Sequence, residues 1–161
     1  MSADLKVGKH CLKAAKKGNQ ILGMIRRTSA CKEKAIILKL YKALVRPHLD
    51  YCTQAWRPHY QKDINTLEAV QKRATRMVSG LQETSYDSRL ALLGITMLET
   101  RHIRADMLEV FKIMQGLDKI DTISVFTMNT QDTRGHKWKF YKKSVRTDYS
   151  KFKFSNRVVT D

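Results

Sequence analysis

Only two prolines occur in the chain, Pro47 and Pro58, and on either side of them apolar residues return every three or four positions. That spacing gathers side chains on one side of an α-helix, because successive residues turn by about 100°. A β fold of this length would need turn residues at every hairpin, yet the 161 residues include only seven glycines, while Ala, Leu, Lys, Arg and Met are plentiful. The expectation is an all-α fold: a small multi-helix domain over residues 3–117, followed by a basic, partly extended tail over 118–161.

The first helix is expected over about residues 4–27. Leu5, Cys11, Leu12, Ala15, Leu22 and Ile25 share one side, and Lys6, Lys9, Lys13, Lys16, Lys17 and Arg27 gather opposite. Residues 32–45 are richer in aliphatics, leaving a narrow stripe of Lys32, Lys39, Lys42 and Arg46, so this helix should be the most buried. Pro47 lacks an N–H and biases Arg46 away from the α region, which predicts a stop or sharp kink there. A further helix through Leu49, Cys52 and Trp56 would then run to Pro58. Asp63 reads as the N-cap of a helix over 64–79 that Gly80 ends, with Lys72, Arg73 and Arg76 on its polar side. Ser85 opens a short helix closed by Gly94. Thr96 and Glu99 have capping-box spacing for a last long helix through Leu98, Ile103, Met107, Leu108 and Phe111 to Gly116.

Residues 118–132 lack a helical period and read as a loop. Beyond them, HKWKFY and KFKFSNRVV alternate basic and aromatic residues, as the strands of a short hairpin would. Trp138 and Phe140 would share one face, Phe152 and Phe154 another, either as strand core or as stacking platforms for unpaired bases.

The formal net charge is +16. Residues 1–30 hold seven basic residues and one acidic, and residues 119–161 hold ten and four, whereas 91–118 hold three and four. Such an imbalance points to a polyanionic partner, nucleic acid first, and the near-neutral last helix is better suited to internal packing. No run of eighteen apolar residues exists and the N-terminus lacks an apolar leader, so a membrane partner is not expected. An intracellular protein, nuclear or cytoplasmic rather than secreted, is the expectation.

Cys11, Cys31 and Cys52 are scattered without a C-x-x-C pair, in keeping with a reducing compartment. His48 and Cys52 are one helical turn apart with His59 following. The plainer reading makes Cys52 a core residue and His48 a surface one, so no metal and no cofactor are expected. No paired acidic residues, Gly-rich phosphate loop or nucleophile motif stands out, hence no catalytic residues. Asp50, Asp106 and His102 are read as caps and helix-surface charges.

The run LYKALVRPHLDYCTQAWRPHYQKDINTLEAVQKRATRMVSGL resembles the segment that follows the catalytic palm in reverse transcriptases of non-LTR retrotransposons of the LINE class, especially the jockey-like branches. The matching positions are Leu40, Tyr41, Leu44, Val45, Arg46, Pro47, Leu49, Tyr51, Cys52, Trp56, Pro58, Leu67, Glu68, Val70, Gln71, Arg73, Ala74, Thr75 and Arg76. Tyr86, Arg89, Leu90, Leu93, Gly94, Leu98, Glu99, Arg101, Arg104 and Asp106 continue the pattern, with His102 where a second arginine is usual. The resemblance implies a thumb and post-thumb region without the fingers and palm that carry the family's paired catalytic aspartates. It would therefore be a noncatalytic fragment contacting an RNA–DNA template–primer duplex or structured RNA. The missing fingers and palm of a parent polyprotein would be a further partner. Phosphate contacts are expected from Lys6, Lys9, Lys13, Lys16, Lys39, Lys42, Lys72, Arg73 and Arg76, and in the tail from Lys137, Lys139, Lys151 and Lys153. The rival readings are a structural remnant without selected activity, and a sequence-specific DNA reader in which the Pro-interrupted helices act as a helix-turn-helix.

Overall fold

A computed structural model describes residues 7–128 and 139–160; Lys6, Lys137 and Trp138 lie outside these ranges. Among the described residues the fold is all-α, with no strand and a single isolated bridge between Met128 and Phe140. The chain forms two compact units, Met1–His102 and Ile103–Asp161. The division therefore falls inside the last long helix, not at the change of composition near residue 118.

In the first unit, helix α1 (Val7–Thr28) buries Cys11, Ala14, Ala15, Gly18, Leu22 and Ile25. The next rod is a single helical path in three parts: α2 (Lys34–Leu40), a π turn (Tyr41–Val45) and α3 (Arg46–Asp50). The predicted stop at Pro47 does not occur. In the wide turn the Arg46 N–H donates to the Tyr41 carbonyl, five residues back, and the extra room accommodates a ring that has no N–H to give. The break comes later, at Cys52, whose backbone is left-handed with φ of 54°. Instead of a helix from Leu49 to Trp56, a short turn α4 (Thr53–Trp56) follows.

Ile37, Tyr41, Val45 and Leu49, spaced by four, form the rod's inner row and are buried. Ile36 and Leu44 remain exposed, so this helix is less buried than its composition suggested. Helix α5 (Gln61–Arg76) contributes more, including Leu67, Val70, Gln71, Ala74 and Thr75. Each fully buried Leu or Val stabilises by about 1.5–3 kcal/mol. Tyr60, not Asp63, is the N-cap; Asp63 sits in the first turn, buried, where its charge complements the positive end of the helix.

Short contacts give the helix directions. Gly8 lies against Asp63, Gly18 against Val70, and Asn19 accepts a hydrogen bond from Arg73, so α1 and α5 run parallel. His10 meets Trp56 while Gly18 meets Val45 and Leu49, so the α2–α3 rod runs antiparallel to α1. The Ser79 N–H donates to the Lys32 carbonyl at 2.9 Å and Tyr41 reaches Gln71, which sets the same rod antiparallel to α5.

Helix α6 (Tyr86–Leu93) opens at Ser85, whose Oγ accepts from the Ser88 N–H at 3.2 Å, and closes at Gly94 with φ of 62°. Helix α7 (Leu98–Met114) follows. The Leu98 N–H at its start donates to Glu68 Oε2 at 3.0 Å, so the bond comes from α5 rather than from the expected Thr96–Glu99 box. Glu68 Oε1 also accepts from the Tyr86 hydroxyl and from Gln71 Nε2, whose amide oxygen accepts from Tyr41 Oη at 2.6 Å. Burial, and for Tyr86 the bond to Glu68, hold both phenols well above their ordinary pKa. One buried polar network thus joins the rod, α5, α6 and the start of α7, satisfying groups that would be costly alone.

In the second unit, Ile113, Phe126 and Val158 form a small core. Phe126 stacks on Phe140 at 4.6 Å between centroids and meets Phe154 at 6.0 Å. Within the expected loop, Asp121 caps α8 (Thr122–Val125), accepting from the Ile123 N–H at 3.2 Å. The expected second strand is helical instead: α9 (Asp148–Lys151) and α10 (Phe154–Arg157). What holds this segment is Arg157, whose Nε and Nη2 donate to the two oxygens of buried Asp106 at 2.9 and 3.0 Å. A one-residue alternation cannot show that pull, because it depends on a carboxylate fifty-one positions away. Helix α7 also departs from expectation: Leu108 (62 % exposed) and Phe111 (57 % exposed) face outward with Met107.

Candidate nucleic-acid interface

The two parallel helices α1 and α5 pack directly against each other, and glycine allows the approach. A Cβ at Gly18 would stand 3.0 Å from Val70 Cγ1, and one at Gly8 would stand 3.2 Å from the Asp63 carboxylate. With the backbones drawn together there, the outer faces of the two helices form one continuous surface.

On α1, Lys9, Lys13 and Lys16 are exposed on the side opposite Cys11, Ala15 and Leu22, with Arg27 continuing the row. On α5, Arg73 and Arg76 are exposed opposite Leu67 and Gln71. The bond from Arg73 Nη1 to Asn19 Oδ1 ties the two rows together across the seam. Helix α1 has 22 residues and so extends about 33 Å, long enough for a row of cations to follow a phosphate backbone. Lys62 belongs to this surface too, exposed at the start of α5. It was hidden in the sequence because Asp63 read as the N-cap, leaving Lys62 outside the helix.

The other expected contacts divide. Lys72 is exposed but leans toward α6, its ammonium 5.0 Å from the Tyr86 ring centroid. Lys39 and Lys42 are exposed on the outer side of the α2–α3 rod, away from the inner row that meets α1 and α5. They do not join the seam. Lys151 and Lys153 are exposed and Lys139 half-buried, all in the second unit. Lys13, Lys16, Lys39, Lys42, Lys72, Arg73 and Arg76 make no ion pair among the described residues. Their positive charge is therefore not cancelled by neighbouring carboxylates.

Asp50 and Asp106 pair with other groups, while Asp63 is buried against Gly8 between α1 and α5. Asp50 accepts from Arg101 Nε at 2.5 Å and lies 3.1 Å from His102 Nε2. Burial would raise its pKa, but the bonds from His102 and Arg101 outweigh that and hold the carboxyl below its ordinary value. His102 is buried with its ring edge toward Trp56. Asp50, His102 and Asp106 are thus structural pairing groups rather than caps or surface charges. Cys52 is exposed, not core, as is His48; among the described residues no three His, Cys, Asp or Glu side chains group as metal ligands. Cys11 is the buried cysteine, and burial, then the nearby Asp63 charge, push its thiol up to about 12.

No described helix is long and apolar enough to cross a membrane. The helix-turn-helix geometry does not form either, since the four residues of α4 include buried Thr53 and Trp56 and offer no recognition helix. The chain matches no protein-family model, no curated protein and no solved structure.

Proposed function

We propose that this chain is a noncatalytic nucleic-acid-binding module that lays the α1–α5 seam along the phosphates of an RNA–DNA duplex or structured RNA. The observation that carries the reading is the row of exposed cations across two parallel, closely packed helices, of which Lys13, Lys16, Arg27, Arg73 and Arg76 make no ion pair among the described residues. Contacts of this kind position a duplex without reading its sequence. The resemblance to the thumb region of LINE-class reverse transcriptases supports the same partner. It would make the fingers and palm of a parent polyprotein a second one, in the nucleus or cytoplasm.

A salt titration of binding to RNA–DNA hybrid, duplex DNA and single-stranded RNA tests the reading. Each phosphate neutralised on B-form duplex DNA contributes about 0.9 to the slope of log affinity against log salt. Replacing Lys9, Lys16, Arg73 and Arg76 together by Gln should therefore flatten the slope on duplex DNA by about three to four, whereas replacing Lys39 and Lys42 should leave the seam's share intact. Salt-independent binding, or an unchanged slope in the fourfold variant, would overturn the seam as the binding surface.

A further inference from the structure

The α1–α5 seam has an unusual end. Between α3 and α5 the chain passes through residues 51–60, at the end where both parallel helices begin. Tyr51 stands 80 % exposed there, the most exposed aromatic ring of the described residues, and Tyr60 on the same loop is 56 % exposed. A phenol on a floppy loop would be ordinary, but this backbone is fixed from both sides. The Tyr51 carbonyl accepts the indole N–H of buried Trp56 at 2.6 Å, and the Tyr51 N–H donates to the Pro47 carbonyl at 3.0 Å. The next residue, Cys52, is held in the left-handed region at φ of 54°, which a side chain other than glycine seldom adopts. Strained positions of that kind persist where the surroundings over-determine them, and they gather at ligand sites. Here the strain turns the chain so that Thr53 and Trp56 go into the core while the Tyr51 ring stays out.

The surroundings are basic and aromatic. Trp56 packs against His10 of α1 at 4.4 Å between centroids, on the turn of the helix that also carries Lys9 and Lys13. Burial first, then positive charge including that of Lys13, lowers the His10 pKa. Tyr60 packs on His59 at 4.2 Å and lies two residues before Lys62.

From this juxtaposition of a backbone-locked, outward tyrosine with the end of a cationic row, we infer that Tyr51 is a stacking platform for an unpaired nucleobase. The base would belong to the single-stranded extension of a duplex lying along the seam, with Tyr60 as a second ring on the same loop. Any base offers a π-face, so stacking adds affinity without demanding a sequence. The inference rests on the seam reading above and adds to it a preference for a duplex with an unpaired end over a blunt one.

The test uses the full chain, a short RNA–DNA hybrid with blunt ends, and the same hybrid carrying a single-stranded overhang that contains 2-aminopurine. The expected result is about tenfold tighter binding of the overhang substrate, with quenching of the 2-aminopurine fluorescence. Tyr51→Ala should abolish both the preference and the quenching while leaving blunt-end affinity and salt slope unchanged; Tyr51→Trp should retain both. Because the ring is exposed, both variants should melt with the parent protein. Salt-dependent binding without an overhang preference, or a preference that Tyr51→Ala does not reduce, would overturn the platform and leave the seam standing. Absence of salt-dependent binding to either substrate would overturn both.

Discussion

Alanine at two glycines of the same helix should move stability in opposite directions. In α1, a Cβ at Gly23 meets nothing within 4 Å, whereas one at Gly18 meets Val70 Cγ1 at 3.0 Å and Leu49 and Val45 at 3.5 Å. Gly23→Ala gains helix propensity and loses backbone freedom only in the unfolded chain, so it should stabilise by about 0.5–1 kcal/mol. Gly18→Ala gains the same increment but forces a methyl into a packed junction of three helical segments. Overpacking of that size costs roughly 1–3 kcal/mol, leaving a net loss of about 0–2 kcal/mol. The two variants should therefore differ by roughly 1–3 kcal/mol. In urea, with a slope of about 2 kcal/mol/M, Gly23→Ala raises the midpoint by about 0.3–0.5 M, while Gly18→Ala leaves it level or lowers it by up to about 1 M. Circular dichroism at 222 nm follows both transitions. Equal rises for the two variants would refute the close α1–α5 approach, and with it the continuous cationic surface that depends on it.

In the second unit, Asp106→Ala leaves Arg157 buried without its bidentate partner, which should cost about 3–5 kcal/mol. The expected consequence is exposure of α10 to limited proteolysis while the first unit's helical signal persists; retention of native resistance would show that Asp106 does not anchor this segment. Asp50 has a folded pKa below its unfolded value, so the unfolded state takes up the proton first. Its stabilising contribution is complete above about pH 4–5 and is lost as pH falls through the folded value. Asp50→Asn should accordingly flatten the stability profile between about pH 5 and pH 3, and an unaltered acid limb in denaturant titrations would count against the Asp50–Arg101–His102 cluster.

Several of these features were legible before any coordinates. The period of Cys11, Ala15, Leu22 and Ile25 located α1 and its buried side, and the left-handed glycines 94 and 116 stand at the helix ends where they were expected, whereas α5 ends at Arg76, short of Gly80. The exposure of Lys9, Lys13, Lys16, Arg73 and Arg76 followed from the same arithmetic, since charged heads on the side away from the apolar stripe stay in water. These are local consequences: a helix's inner and outer sides are written into residues three and four apart.

What the order of residues did not reveal was set by partners distant in the chain. Pro47 looks like a stop when only its own missing N–H is considered, but burial of Tyr41, Val45 and Leu49 on one line holds the helix together through a π turn. Alternation suggested the second strand of a hairpin over residues 151–159, and the Asp106 carboxylate drew Arg157 into a helical turn instead. The start of α7 is satisfied by Glu68, thirty positions upstream. Tertiary packing also decided which cations share a surface, joining α1 to α5 through Arg73 and Asn19 and leaving Lys39 and Lys42 on another side. Periodicity fixes where a side chain points around its own helix axis; only the packing of one axis against another determines which outward sides become neighbours.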